Sequence, residues 1–298
     1  MMRILNYGSL NVDHVYRVPS ISRPGESVPC RDYQVFAGGK GANQSMALAR
    51  AQAPVWHAGK VGNDTRWLID RLAASGVRTE FIQVSDRPGG HAVIQVEDSG
   101  QNSIVVYGGA NREIREEEMD AVFAAFSPGD WLLLQNETNV TADLIRRGAA
   151  AGMRVVFNAA PPAGPALPLD QVDYLVVNEH EAAALAGTEA PPEALAEHLA
   201  QRWPRACILV SLGARGVLAR SPAGTFRAPA YRVTPVDTTG AGDTFIGFWL
   251  AGMARGLSLE AALDLGCRAA AIAVTRMGAM DGIPSLSEVE ASDLPRGS

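Results

Sequence analysis

Apolar runs of four or five residues recur along this chain, separated by stretches with helical spacing. The runs cover residues 3–7, Trp131–Gln135, 154–158, 174–177 and Cys207–Ser211. One helical pattern begins near Ala42 and carries Met46, Leu48 and Ala49; others begin at Thr141 and span Glu179–Ala186. An uninterrupted apolar run has no wet side, so each strand must be covered on both faces. Strands that alternate with helices pair in parallel, because the helix supplies the crossover. The expected class is α/β: a mostly parallel sheet between layers of helices. Ligands of such sheets bind beyond the C-terminal strand ends. Asn11, Asp13, Glu137, Asn158, Asn178 and Ser211 all fall there.

Two regions break the alternation. Residues 12–18 with 33–36, and 90–96 with Asn102–Tyr107, read as extended pairs with period-2 patterning. The turn 97–101 joins the second pair as a hairpin. We read these segments as a small sheet projecting from the main body. Val15, Val18, Val35, Val93, Ile104 and Val106 are expected on one of its faces. Exposed edges of such a sheet invite pairing with a second copy. The Pro/Ala-rich stretch 161–168 is short enough for a loop. The whole of 1–298 therefore reads as one domain, with segments about 12–36 and 90–107 inserted and a loose tail from about Ser292.

Composition excludes several classes of function. The net charge is −6 and no run of Lys or Arg occurs, which argues against nucleic acid or an anionic membrane as partner. No apolar run approaches the roughly 18 residues of a membrane span, and the N-terminus lacks a signal-peptide pattern. Cys30, Cys207 and Cys267 are odd in number and far apart, as expected of a reducing cytosol. The five histidines have no metal-ligand spacing.

Four motifs carry chemistry. Asp237-Thr238-Thr239-Gly240-Ala241-Gly242-Asp243-Thr244 leads into a helix expected from Asp243 to about Arg255, with Phe245, Trp249, Leu250 and Met253 at helical spacing. A helix N-terminus offers unpaired amides and the positive end of its dipole to an anion. Asp243 is then either a general base or a helix cap, since Asp does both. Residues 38–44, GGKGANQ, form a glycine turn into a helix; Asn43 could bond a small polar ligand. Asn178 and Glu181 stand three apart, either holding Mg²⁺ through water or forming a capping box. Residues 211–216, SLGARG, follow a strand, either seating phosphates or simply turning the chain.

The four motifs, in this order, resemble the ribokinase-like (PfkB-type) carbohydrate kinases. The resemblance runs from GSLNVD at 8–13, through GGAN at 108–111, to residues 268–282. It implies a three-layer sandwich with a mostly parallel central sheet and a small projecting β-sheet lid. It implies transfer of the γ-phosphoryl group of ATP to a primary hydroxyl of a pentose, ribose first, with nucleoside, deoxyribose and 2-keto-3-deoxygluconate kinases as alternatives. A non-catalytic sugar-binding regulator on the same fold is the reading from another class. Carried over by motif, Asp243 is the base, and the amides of Gly240, Ala241, Gly242 and Asp243 form the anion hole. Asn11, Asp13, Gly39, Lys40, Asn43 and Glu137 take the sugar. Asn178, Ser211, Gly213, Gly216, Gly242 and Cys267 face the nucleotide. Asn178 and Glu181 influence Mg²⁺; Asp237, Thr239, Val274, Met277 and Ala279 hold K⁺. A homodimer clasped through the lid is implied as well. Departures are Ile246 where Asn is usual, Asn136 where an apolar residue is common, Ser211 in place of Thr, and Cys267 in place of His or Asn.

Overall fold

A computed structural model describes residues 2–162, 164 and 166–297; positions 163 and 165 of the 161–168 stretch lie outside the described residues. The strands are β1 (Ile4–Tyr7), β2 (Asn11–Val18), β3 (Asp32–Gly38), β4 (Val55–Gly62), β5 (Arg78–Ser85), β6 (Gly90–Glu97), β7 (Asn102–Tyr107), β8 (Trp131–Gln135), β9 (Arg154–Asn158), β10 (Tyr174–Asn178), β11 (Cys207–Ser211), β12 (Val217–Ser221) and β13 (Gly224–Ala228). The helices are α1 (Lys40–Arg50), α2 (Trp67–Ala73), α3 (Glu116–Phe123), α4 (Thr141–Ala150), α5 (Glu179–Ala186), α6 (Pro192–Arg202), α7 (Ala241–Ala254), α8 (Leu259–Ala273) and α9 (Leu286–Ala291).

The main sheet has nine strands in the order β13-β12-β11-β10-β9-β8-β1-β4-β5. From β11 to β5 every pair is parallel; β12 and β13 add an antiparallel edge. The pleat explains the apolar runs. In β8, Trp131 and Leu133 enter one core with Met46, Trp249 and Leu263, while Leu132 and Leu134 enter the other with Leu144 and Leu199. All four are fully buried. At about 25 cal/mol per Å² of apolar area, each such side chain contributes roughly 2 kcal/mol. Strands β4, β5, β12 and β13 escape the sequence reading. They are mixed in polarity, and β12 and β13 form the antiparallel edge of the sheet.

Chain order places the crevice. From β1 the chain moves outward to β4 and β5, then returns to β8 on the other side of β1 and continues to β11. The direction reverses between β1 and β8, the switch point at which α/β sheets bind ligands.

The second sheet has the order β3-β2-β6-β7. Its register corrects the expected apolar face. Asp13 lies opposite Phe36 and Ala92, and Ala92 opposite Val106, so Val15, Ile104 and Val106 share the Asp13 face. Val35, opposite His14, and Val93 point the other way. Across strands, a one-residue difference in register flips a side chain to the other face, which spacing does not carry. Val18, three residues after Val15 in β2, falls on the opposite face by strand period alone. The C-terminal tail is also tied down rather than loose: the amide of Arg232 donates to Pro295 and that of Gly297 to Ala230.

Candidate active site

The turn before α7 sets the site. Gly240 has φ +74°, and a Cβ there would stand 2.9 Å from the backbone of Ala279, so glycine alone lets the chain enter α7 at this angle. No side chain caps the helix. The amides of Gly240, Gly242 and Asp243 have no partner among the described residues, whereas that of Ala241 turns back to Thr238 O at 3.3 Å. Of the four amides expected to face an anion, three are thus free among the described residues.

Asp243 is no cap. Its Oδ2 accepts from Asn43 Nδ2 at 3.0 Å and its Oδ1 from Gln44 Nε2 at 2.8 Å, both on α1. Burial raises its pKa; the Lys40 ammonium and the two amide donors oppose that. Burial pulls Lys40 down, but Asp243, Glu137, Glu181 and Asp13 around it outweigh that, and its pKa is raised. The result is one cation among four carboxylates. Asp13 is pushed up to about 6, by burial first and then by Glu137.

The residues expected to take the sugar converge from several elements. Gly39, at φ +92°, would bring a Cβ within 2.8 Å of the Asn11 amide, so GGK packs tightly on the start of β2. Ser9 Oγ donates to Glu137, and the Lys40 amide donates to the same carboxylate at 3.4 Å. Asn111 Nδ2 donates to Asn11 Oδ1 at 2.8 Å and grips Leu10 through its amide and carbonyl, anchoring the entry to β2. Asn43 Oδ1 is buried without a partner, an acceptor that a ligand hydroxyl would satisfy.

Two adjoining cavities lie beside this cluster. The smaller, about 160 Å³, is lined by Lys40, Asn158, Asn178, Glu181, Asp243 and Ile246. The larger, about 590 Å³, is lined by Ser211, Gly213, Gly216, Cys267 and Val274 among others; both share Ser211, Thr238, Ala241, Gly242 and Phe245. Burial pushes the Cys267 thiol up to about 12, so it enters this cleft as a neutral, apolar group. Asn178 and Glu181 do form the reciprocal capping box, each side chain bonding the other's amide at 2.8 Å. Glu181 Oε2 is used in that box, and the residue still lines the smaller cavity.

Asp237 braces the turn: Oδ1 accepts from Thr239 N and Oδ2 from Gly278 N, each at 2.9 Å. Val274 O accepts the amides of Val236 and Asp237, and Met277 is half exposed. Of the departures, Asn136 bonds Pro161 O and Pro162 O, tying together the loops after β8 and β9. Sequence reasoning passed over Gln44 as a partner of Asp243, along with Ser9, Asn111 and Gln135. A signal for Gln44 was present: Lys40, Asn43 and Gln44 stand at i, i+3 and i+4, on one face of α1.

Comparison with known proteins agrees with this geometry. The sequence model of the pfkB family of carbohydrate kinases matches residues 1–286. The ribokinase of Haemophilus influenzae is 35% identical over 291 residues, covering 94% of this chain and 95% of that one. A ribokinase structure from Thermotoga maritima superposes with TM-score 0.89 at 34% identity, covering 98% of this chain and 99% of that one. The Arabidopsis thaliana ribokinase complexed with ribose and ATP superposes with TM-score 0.86 at 28% identity, covering 97% of each. With the family model matching nearly end to end, this chain belongs to the pfkB family of carbohydrate kinases.

Proposed function

We propose that this protein phosphorylates a pentose, ribose first, at its primary hydroxyl with ATP. The observation that carries the reading is the placement of Asp243. A buried carboxylate held by two amides stands at a helix N-terminus with three free amides, between the sugar-side cluster and the larger cleft. Asn11, Asp13, Gly39, Lys40, Asn43 and Glu137 hold the sugar, with Asp13 and Asn43 on neighbouring hydroxyls. The nucleotide lies along Ser211, Gly213, Gly216 and Cys267. Asp243 takes the hydroxyl proton as the sugar oxygen bonds to the γ-phosphorus and the bond to the leaving ADP oxygen breaks. The amides of Gly240, Gly242 and Asp243, with Lys40, stabilise the charge on the moving oxygens.

Glu181, lining the smaller cavity with Asn178, fits a Mg²⁺ held through water; the ion would neutralise phosphate charge. Asp237 and Thr239 of the turn would hold a K⁺ that braces it, together with Val274, Met277 and Ala279 of the segment after α8. The whole chain works as one kinase domain, with segments about 12–36 and 90–107 as a lid that excludes water. Two such chains pair through the lid. A cytosolic enzyme accords with the exposed, free Cys30. No helix among the described residues is long and apolar enough to cross a membrane.

The test is a coupled ADP-release assay over pentoses, hexoses, keto-acid sugars and nucleosides, with ribose expected to give the highest kcat/KM. Asp243→Asn keeps shape but accepts no proton, and should lower kcat at least about 10²-fold with sugar affinity nearly unchanged. Near-normal turnover by that variant would refute Asp243 as the base.

A further inference from the structure

Gln44 is held from three sides. Its NH₂ group donates to Asp243 Oδ1 at 2.8 Å and to Asn158 Oδ1 at 3.1 Å. Its carbonyl accepts from Gln135 Nε2 at 2.6 Å. Gln135 Nε2 donates its other hydrogen to Asn6 Oδ1 at 2.9 Å, and Asn6 Nδ2 donates to Gly41 O at 2.7 Å and to Ser45 Oγ at 2.8 Å. Asn158 Nδ2 donates to Val176 O at 3.2 Å. Asn6, Gln44, Gln135 and Asn158 are all buried.

This chain of amides has one polarity. The carbonyls of Gly41 and Val176 can only accept, so they turn the NH₂ groups of Asn6 and Asn158 toward themselves. Asn6 Oδ1 must then face Gln135, whose NH₂ serves both Asn6 and Gln44. Gln44 is left with its oxygen toward Gln135 and its NH₂ toward Asp243. Reversing Gln44 alone would set oxygen against oxygen at Asp243 and Asn158, and NH₂ against NH₂ at Gln135. In a dry interior each such mismatch leaves a buried polar group unpaired.

We propose that Gln44 is a positioning residue for phosphoryl transfer, its amide oriented by Asn6, Gln135 and Asn158 to hold the Asp243 carboxylate against the acceptor hydroxyl. The proposal rests on Asp243 acting as the base. It also assigns a task to the last residue of GGKGANQ, which the sugar and nucleotide sites leave unused. Burial raises the pKa of Asp243, and the Gln44 donor works against that rise. The charged groups around Asp243 are Lys40 on α1, Glu181 on α5 and Asp13 on β2, with Glu137 beyond Lys40. None of them changes when Gln44 is replaced.

The experiment is the pH profile of kcat, with KM for ribose and ATP, for Gln44→Met and Gln44→Glu. Met keeps the length and removes the donor; Glu keeps the shape and the oxygen that Gln135 needs, but sets an acceptor against Asp243. Both should lower kcat at neutral pH by about tenfold or more, with each KM within about threefold of the parent. The acid limb of kcat should rise by about one pH unit in Gln44→Met and further in Gln44→Glu, because a carboxylate that loses a donor or gains a like charge binds its proton more tightly. Should Gln44→Met fail to fold, the isosteric Gln44→Glu carries the test alone. An acid limb that stays in place would overturn the proposal, as would losses expressed only in KM. An unmoved limb beside an inactive Asp243→Asn would sink the role of Gln44 and leave the base standing; an active Asp243→Asn would sink the base itself.

Discussion

Asp13, a proposed sugar ligand, works against the fold that holds it. Its carboxyl is raised from 3.8 to about 6, chiefly by burial and then by Glu137. A folded pKa above the unfolded one means that its contribution to stability is complete below about 4 and is lost as pH rises through about 6. Two units correspond to ~3 kcal/mol at 1.36 kcal/mol per unit, and roughly half of that remains once solvent screening at a partly exposed group is discounted. Asp13→Asn should therefore stabilise the protein by about 1–2 kcal/mol at pH 8, measured by urea unfolding, while weakening ribose binding. The gain should vanish at pH 4. An equal gain at both pH values would assign the effect to something other than ionisation. Wild-type kcat/KM for ribose should also decline below about pH 6 as Asp13 takes up its proton.

At the scale of elements, the turn from Asp237 to Gly240 decides whether the N-terminus of α7 is usable. Asp237 holds the Thr239 and Gly278 amides, and Val274 O holds two more, so the turn and the segment after α8 form one braced unit. A monovalent cation bound there would stiffen the same unit and thereby the free amides of Gly240, Gly242 and Asp243. Activity should rise when K⁺ replaces a bulky organic cation at constant ionic strength, and Asp237→Ala should abolish the response. Equal rates of the parent in the two salts would remove the cation from the mechanism. Helix α1 joins this unit from the other side, because its Asn43 and Gln44 grip Asp243. The proposed base is thus held between two helices packed against each other, which favours precise geometry.

For the whole molecule, the question is what covers the small sheet. Val35 on one face is 46% exposed and Val106 on the other 61%, so neither face is sealed by the chain itself. A four-stranded sheet with both faces open gains most by burying them against a second copy. The protein should sediment as a homodimer at micromolar concentration. Glu at both Val35 and Val106 should give monomers with a raised KM for ribose. A fully active wild-type monomer would rule out the clasp.

The sequence by itself determined the fold class and picked out the candidate site residues. Runs such as Trp131–Gln135 declare burial on both faces, and a glycine turn before a helix is visible without coordinates, because both are patterns over a few neighbouring residues. Four of the nine strands in the main sheet stayed hidden where polarity was mixed. What only the tertiary structure decided depends on distant pairs. Gln44 meets Gln135 across 91 positions and Asp243 across 199. Which way those amides point follows from two backbone carbonyls, Gly41 and Val176, that no local pattern connects to Asp243. The faces of the small sheet were settled by register, and the Ala241 amide turns back onto Thr238, which no local pattern announces. Periodicity reports which residues seek burial; hydrogen-bond direction and strand register exist only once distant segments have met.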